Sequence, residues 1–294
     1  MTPASRPAAP DRLIVSVEER RAVLLEVIGQ ARSRITLSLF RCNDRRIFEA
    51  LGAATKRGVT VEVLVTSRAK GGRKKIEKLW RALEETGATL KAYTDPVVKY
   101  HAKYLVADEG PAIVASLNLT KRCFKRTCDA VVVTHDPAVV SGLRRLWASD
   151  CGGEALPDGV SERLILGPER ARRQFTALVE QARTSIRLID AKLSDPDLVS
   201  LLNARRAAGL TVEVFSDKRL GELRSHGKIM LVDDTTVVVG SLALAALSLD
   251  FRREVAIVVT EPAAVAEAAE LFRTVRALAA EKKAATGAAD GVPC

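Results

Sequence analysis

Apolar and polar positions along this chain follow two periods, and the order in which those periods alternate is written twice. Over about residues 18–32 the apolar positions recur every three to four residues, which predicts an amphipathic helix. The run ITLSLF behind it has the length and composition of a buried strand. A second helical stretch over about residues 46–56 closes at Gly58 and leads into the strand TVEVLVT. Apolar runs in KYLVAD, AIVASL and AVVVT then precede a last helix over about residues 137–148. The second half repeats the scheme and ends in a helix over about residues 262–280. RLIVSVEERRAVLLEVIGQARSRITL from Arg12 is echoed by RLILGPERARRQFTALVEQARTSIRL from Arg163, and the TVEV around Val61 by the TVEV around Val212.

Strands alternating with helices predict an α/β fold of two similar sandwich domains with largely parallel sheets. The expected division is a disordered segment over 1–11, a first domain over 12–150, a Gly- and Pro-rich linker over 151–159, a second domain over 160–281 and a flexible tail over 282–294. Duplicated units pack as an isologous dimer does, about a pseudo-twofold axis, so a monomer with an internal pseudo-dimer is expected.

Composition narrows the partners. A chain of 294 residues, 47% apolar, is long enough for two cores. A net charge of +10 and a pI near 9.6 favour anionic partners, whether nucleic acid, acidic lipid headgroups or phosphorylated small molecules, without choosing among them. The five cysteines are scattered and match no zinc or redox spacing, which points to a reducing, cytoplasmic setting. No signal-peptide pattern and no run of 18 apolar residues is present, so no spanning helix is expected and a lipid substrate would be met from the membrane surface.

The chemistry is concentrated in a repeated motif. His101, Lys103 and Asp108 in HAKYLVAD, and His226, Lys228 and Asp233 in HGKIMLVD, follow one pattern, His-x-Lys-x-x-x-x-Asp, and use two of the chain's three histidines. Imidazole suits attack and proton transfer near neutral pH. A lysine two residues along lies on the same side of a strand. Two such sets brought together would make a site for phosphate chemistry. Both copies extend further, with Ser116 and Ser241 each 15 residues after their histidine and Asp129 and Glu254 each 28 after.

From Arg12 to about Ala280 these residues resemble the phospholipase D superfamily, whose signature is this motif, twice, with a following Ser-x-Asn segment. The resemblance implies that His101 is the nucleophile, forming a covalent phosphohistidine, and that His226 is the general acid and base. It implies that Lys103, Lys228 and Asn118 hold the non-bridging oxygens and that Asp129 and Glu254 each orient a histidine. Asp108 and Asp233, which complete the motif, are expected to brace its loops. The family needs neither metal nor cofactor. One departure is Ala243, which stands where the first half has Asn118.

Two basic stretches bear on the substrate. Gly58 and Gly209 lie 151 residues apart but the histidines only 125, so the first half carries 26 extra residues, with eight Lys or Arg against three Glu over 68–91. Ile76, Leu79, Trp80 and Leu83 recur there at helical spacing. Lys121, Arg122, Lys125 and Arg126 follow Asn118 and are expected to contact an anionic substrate, with Phe124 among them free to enter lipid or stack on a base. The leading expectation is a phospholipase D-type phosphodiesterase acting on phospholipid by hydrolysis or transfer. The alternatives are a metal-independent endonuclease or DNA-end phosphodiesterase, and a non-catalytic module that binds anionic ligands.

Overall fold

The structure is a computed structural model that describes residues 9–67, 73–156 and 158–287. The first half runs β1 (Arg12–Ile14), α1 (Glu19–Gln30), β2 (Arg34–Leu39), α2 (Arg45–Lys56), β3 (Thr60–Thr66), α3 (Arg73–Glu84), β4 (Thr89–Tyr93), β5 (Lys99–Tyr100), β6 (Tyr104–Ala107), β7 (Ala112–Ala115), α4 (Cys123–Arg126), β8 (Thr127–Cys128), β9 (Val131–Thr134) and α5 (Pro137–Gly152). The second runs β10 (Leu164–Gly167), α6 (Ala171–Gln181), β11 (Ser185–Ile189), α7 (Pro196–Ala207), β12 (Thr211–Phe215), β13 (Arg219–Leu220), β14 (Leu223–Ser225), β15 (Lys228–Val232), β16 (Thr236–Gly240), α8 (Ala246–Asp250), β17 (Arg252–Val259) and α9 (Pro262–Gly287). Helix α5 runs into the stretch expected to link the halves and stops at Gly153, whose φ of 69° favours glycine. Helix α9 runs past residue 281, where a tail was expected to begin. Residues 1–8, 68–72, 157 and 288–294 lie outside the described residues, and with them most of the N-terminal segment, part of the basic insertion, one position of the linker and the end of the tail.

Each half builds one large sheet, and the strand orders correspond: β1-β9-β7-β6-β2-β3-β4 in the first, β10-β17-β16-β15-β11-β12 in the second. The α/β class is as expected, but the sheets are mixed rather than largely parallel. Within these orders β2–β3, β3–β4 and β11–β12 are parallel and the other pairings antiparallel. The reason is the connection: the motif strands β6 and β15 turn directly into β7 and β16, and a tight turn joins antiparallel strands only. The described part of the extra stretch holds α3 and the edge strand β4.

Alternation along the strands sorts side chains between two layers. Leu105, Ile113, Val131 and Val133 join α1, α2 and α3 in one core, while Met230, Val238 and Ala256 join α6 and α7 in another. The opposite faces meet: Tyr104, Val114 and Val132 of the first half pack in one cluster with Leu231, Val239 and Ile257 of the second, together with α5 and α9. Equal local devices recur in both halves. Asp44 caps α2 and pairs with Arg21 at 2.8 Å, and Asp195 caps α7 and pairs with Arg172 at 2.7 Å. Among the described residues no helix is long and apolar enough to cross a membrane.

Candidate active site

Two short strand pairings carry each half's motif across to the other. His101 stands between β5 and β6. β5 pairs in parallel with β17 of the second half, and the His101 N–H donates to the Arg253 carbonyl at 2.9 Å. The next residue in β17 is Glu254, whose Oε2 lies 3.0 Å from His101 Nδ1. In the reverse direction β14 pairs in parallel with β8, and the Gly227 N–H donates to the Cys128 carbonyl at 2.7 Å. Asp129, one residue on, places its carboxylate oxygens 3.0 and 3.1 Å from His226 Nδ1. Each histidine is thus held by the carboxylate of the opposite half. Gly227 has a reason of its own, because a Cβ there would sit 2.6 Å from the Cys128 carbonyl oxygen.

Both carboxylates are buried and supported. Asp129 accepts from Ser116 Oγ at 2.7 Å and from Thr127 Oγ1 at 2.5 Å. Glu254 accepts from Ser248 Oγ at 2.7 Å. Ser241 exchanges bonds with the Val255 backbone as Ser116 does with that of Ala130, but of the two serines only Ser116 also bonds its carboxylate. Thr127 and Ser248 were not anticipated from sequence, since neither lies at a repeated offset; nor was buried Arg20, whose Nη1 donates to the Thr127 carbonyl at 2.9 Å and steadies the segment carrying Asp129. Phe40 was also missed. Its ring meets His101 edge-on with centroids 4.5 Å apart.

The electrostatics differ between the groups. Burial, with the Lys103 charge beside it, pushes His101 down to about 4, against the opposing pull of Glu254. Burial likewise pushes Lys103 down to about 7, with Lys228 adding to the effect and Glu254 opposing it. Burial raises Glu254, but His101 and Lys103 outweigh it and the carboxyl is held low and ionised. An ionised Glu254 must accept from His101 Nδ1–H, which leaves Nε2 with its lone pair. Lys103 Nζ lies 3.1 and 3.2 Å from the two ring nitrogens of His101 and donates to its carbonyl at 2.6 Å. Lys228 Nζ donates to the His226 carbonyl in the same manner.

Asp108 and Asp233 lie at the far ends of the motif strands and do not join the histidines. Asp108, with a φ of 45°, accepts from the Arg32, Ser33 and Arg34 N–H groups, and Asp233, with a φ of 53°, from those of Arg183, Thr184 and Ser185. Burial raises both carboxyls, but these donors outweigh it and hold each at about 2. They tie the start of β2 and β11 to the end of the motif strand.

A cleft of about 940 Å³ opens beside His226. Asn118, Lys121 and Arg122 line it, and the side-chain oxygen of Asn118 has no protein partner. Phe40, Ile76 and Leu79 form an apolar wall, and Lys75, Lys78, Lys218 and Arg224 add charge. Lys125 faces a neighbouring hollow with Arg21, Arg45 and Arg46 rather than the cleft, and Arg126 lines neither. Phe124 is 1% exposed beneath the Arg21 guanidinium, so it is not free to enter lipid or stack on a base. Among the described residues, Cys123, Asp129 and His226 bring three potential metal ligand atoms within 4.8 Å of one another. The Asp129 oxygens already serve His226, Ser116 and Thr127, so a cation there would break the pair.

Known proteins resemble this chain in sequence and in fold. Cardiolipin synthase A of Pseudomonas aeruginosa is 28% identical over 127 residues, 43% of this chain and 26% of that protein, so the match spans about a quarter of that relative's length. Phospholipase D of Rickettsia bellii is 30% identical over 128 residues, 43% of this chain and 61% of that one. Phosphatidylserine synthase of Haemophilus influenzae superposes with a TM-score of 0.70 over 92% of this chain and 87% of its own at 12% identity. Polyphosphate kinase of Porphyromonas gingivalis does so with a TM-score of 0.71 over 90% and 50% at 20% identity, and these two likenesses speak for the fold. The family described as "Cardiolipin synthase, PLD-like domain" matches residues 24–150 and 208–276, well over half of the sequence, and the chain belongs to this phospholipase D-like family.

Proposed function

We propose that the protein is a phospholipase D-type enzyme that cleaves phospholipids, or transfers their phosphatidyl group to another alcohol, through a phosphohistidine on His101. The observation that carries this is the reciprocal pairing of two histidines with the carboxylates of opposite halves, with both motif lysines beside them. His101 Nε2 would attack phosphorus, forming the N–P bond as the P–O bond to the headgroup alcohol breaks. His226 would give its proton to that leaving oxygen. Water or a second alcohol would then attack phosphorus, passing its proton to His226 as the N–P bond breaks. The low pKa of His101 supports its part as nucleophile, which must be neutral. Lys103, Lys228 and the unpartnered Asn118 would hold the non-bridging oxygens, and an arriving phosphate would keep Lys103 charged. The relatives named for cardiolipin synthesis and phospholipase D favour a lipid substrate, as does the apolar wall of the cleft.

The cationic side of the cleft favours a second reading, a nucleic-acid phosphodiester. The test uses radiolabelled phospholipid vesicles and plasmid side by side. Acid-labile but base-stable label should appear on the wild-type protein with lipid and be lost in His101→Ala. Label retained by that variant, or plasmid cut while vesicles stay intact, would sink the proposal.

A further inference from the structure

The two short helices α4 and α8 occupy equivalent places, related by the 125-residue offset of the histidines. Their burial patterns match. Buried Cys123 and Phe124 answer buried Ser248 and Leu249. Exposed Arg122 and Arg126 answer Leu247, 58% exposed, and Phe251, 51% exposed. The backbone and the accessibility are kept while cations are replaced by apolar side chains. Nothing in the packing of the second half requires this, because neither side chain enters its core.

The exposed apolar pair is not alone. The Lys99 N–H donates to the Phe251 carbonyl at 3.1 Å, which lays the loop before β5 against the turn from α8 into β17. That loop carries Val97, 67% exposed. Among the described residues, Leu247, Phe251 and Val97 are the large apolar side chains that stand more than half out of the surface, and all three lie on this one lip. Single exposed apolar residues are ordinary, but their confinement to one place marks an interaction surface. Cations lie beside it, and the same loop carries Asp95, whose Oδ1 accepts from the Val97 N–H at 2.8 Å. Lys99 and Lys192 are exposed, and Arg252 is partly so. The same strand end carries Glu254, so the lip borders the active site.

We propose that this lip docks the protein on an anionic phospholipid bilayer, with Leu247, Phe251 and Val97 entering the boundary between headgroups and acyl chains and Lys99, Lys192 and Arg252 resting among the headgroups. The inference rests on the phospholipid reading of the site and adds the surface by which that substrate is reached. Apolar tips flanked by cations are the chemistry of interfacial binding. A single-stranded nucleic acid would call for flat stacking faces along a continuous cationic track, which leucine and valine do not supply. Three side chains are too small an area for a stable protein interface.

The experiment is co-sedimentation with phosphatidylcholine vesicles, with and without phosphatidylglycerol, alongside hydrolysis of a water-soluble aryl phosphodiester. Wild type should bind the phosphatidylglycerol vesicles, and less so at high salt. The double variant Leu247→Ser, Phe251→Ser should lose about tenfold or more in vesicle affinity while hydrolysing the soluble diester at the wild-type rate. Equal vesicle binding by variant and wild type, or wild-type binding to duplex DNA and not to vesicles, would overturn the docking surface. Vesicle binding that depends on the pair without diester hydrolysis would leave the surface standing and remove the catalytic reading instead.

Discussion

His101 carries the sharpest electrostatic consequence of the site. It is 15% exposed at the side chain, faces an ionised Glu254 and shares its ring nitrogens with Lys103. Burial and the neighbouring ammonium favour its neutral form down to about pH 4, where an unperturbed histidine would be largely protonated below about 6.5. The sign follows: the proposed nucleophile must be neutral, so activity limited by His101 is lost as pH falls through the folded pKa rather than through the ordinary one. The acid limb of kcat/KM, which reports the free enzyme, should therefore fall near pH 4. A pH–rate profile on a soluble phosphodiester checks this, with the fold intact over the range. An acid limb near pH 6.5 would show that burial does not control His101. Glu254→Gln should lower kcat by about 10²–10⁴-fold, the scale of a lost acid–base partner, since the amide no longer secures the tautomer with Nε2 free.

At the scale of elements, the helix α3 sets the first half apart from the second. Its apolar face serves both sides: Leu79 and Leu83 are buried in the domain core with Trp80 packed against it, while Ile76 and the edge of Leu79 also reach the cleft with Lys75 and Lys78. Charges on this wall act before and during binding rather than on the reacting bonds. Reversing Lys75 and Lys78 to Glu should raise KM for an anionic substrate by about tenfold, on the order of 1 kcal/mol for two exposed charges, and leave kcat nearly unchanged. Steady-state kinetics separates the two, and a fall in kcat alone would place α3 in the chemistry instead. This helix also shows what sequence can reveal. Its period was legible at Ile76, Leu79, Trp80 and Leu83, as were most helices and strands, because burial of one face imposes spacing on the chain itself. The paired histidines and lysines were legible because they recur at fixed offsets. Antiparallel pairing of β6 was not, since partner choice depends on a turn that carries no periodicity. Nor were Thr127, Ser248 and Phe40, whose contacts join positions with no repeated spacing. That Asp129 serves His226, 97 residues away, is a property of the packed halves and of no local segment.

At the scale of the whole molecule, two similar halves share one core. The inner faces of both sheets share a single apolar cluster with α5 and α9, and two strand pairings, β5 with β17 and β8 with β14, cross from half to half. Buried Arg253 adds a further tie, donating to Asp150 in α5 at 2.8 Å and to the Gly167 carbonyl at 2.9 Å. Separating the halves would expose that cluster and at once strip each histidine of its carboxylate. The core and the paired site thus depend on the same surface. The covalent connection between Gly153 and Gly159 contributes little beside it, because loop closure costs only a few kcal/mol against a cluster of more than thirty buried side chains. A protease site placed in this connection should therefore yield a nicked protein whose fragments remain together, melt in one calorimetric transition and keep most of the activity. Two separate transitions with activity retained would mean that the halves fold independently and that the reciprocal pairs form by docking alone. Loss of activity on nicking with a single transition preserved would instead assign the connection a part in holding the two histidines in register.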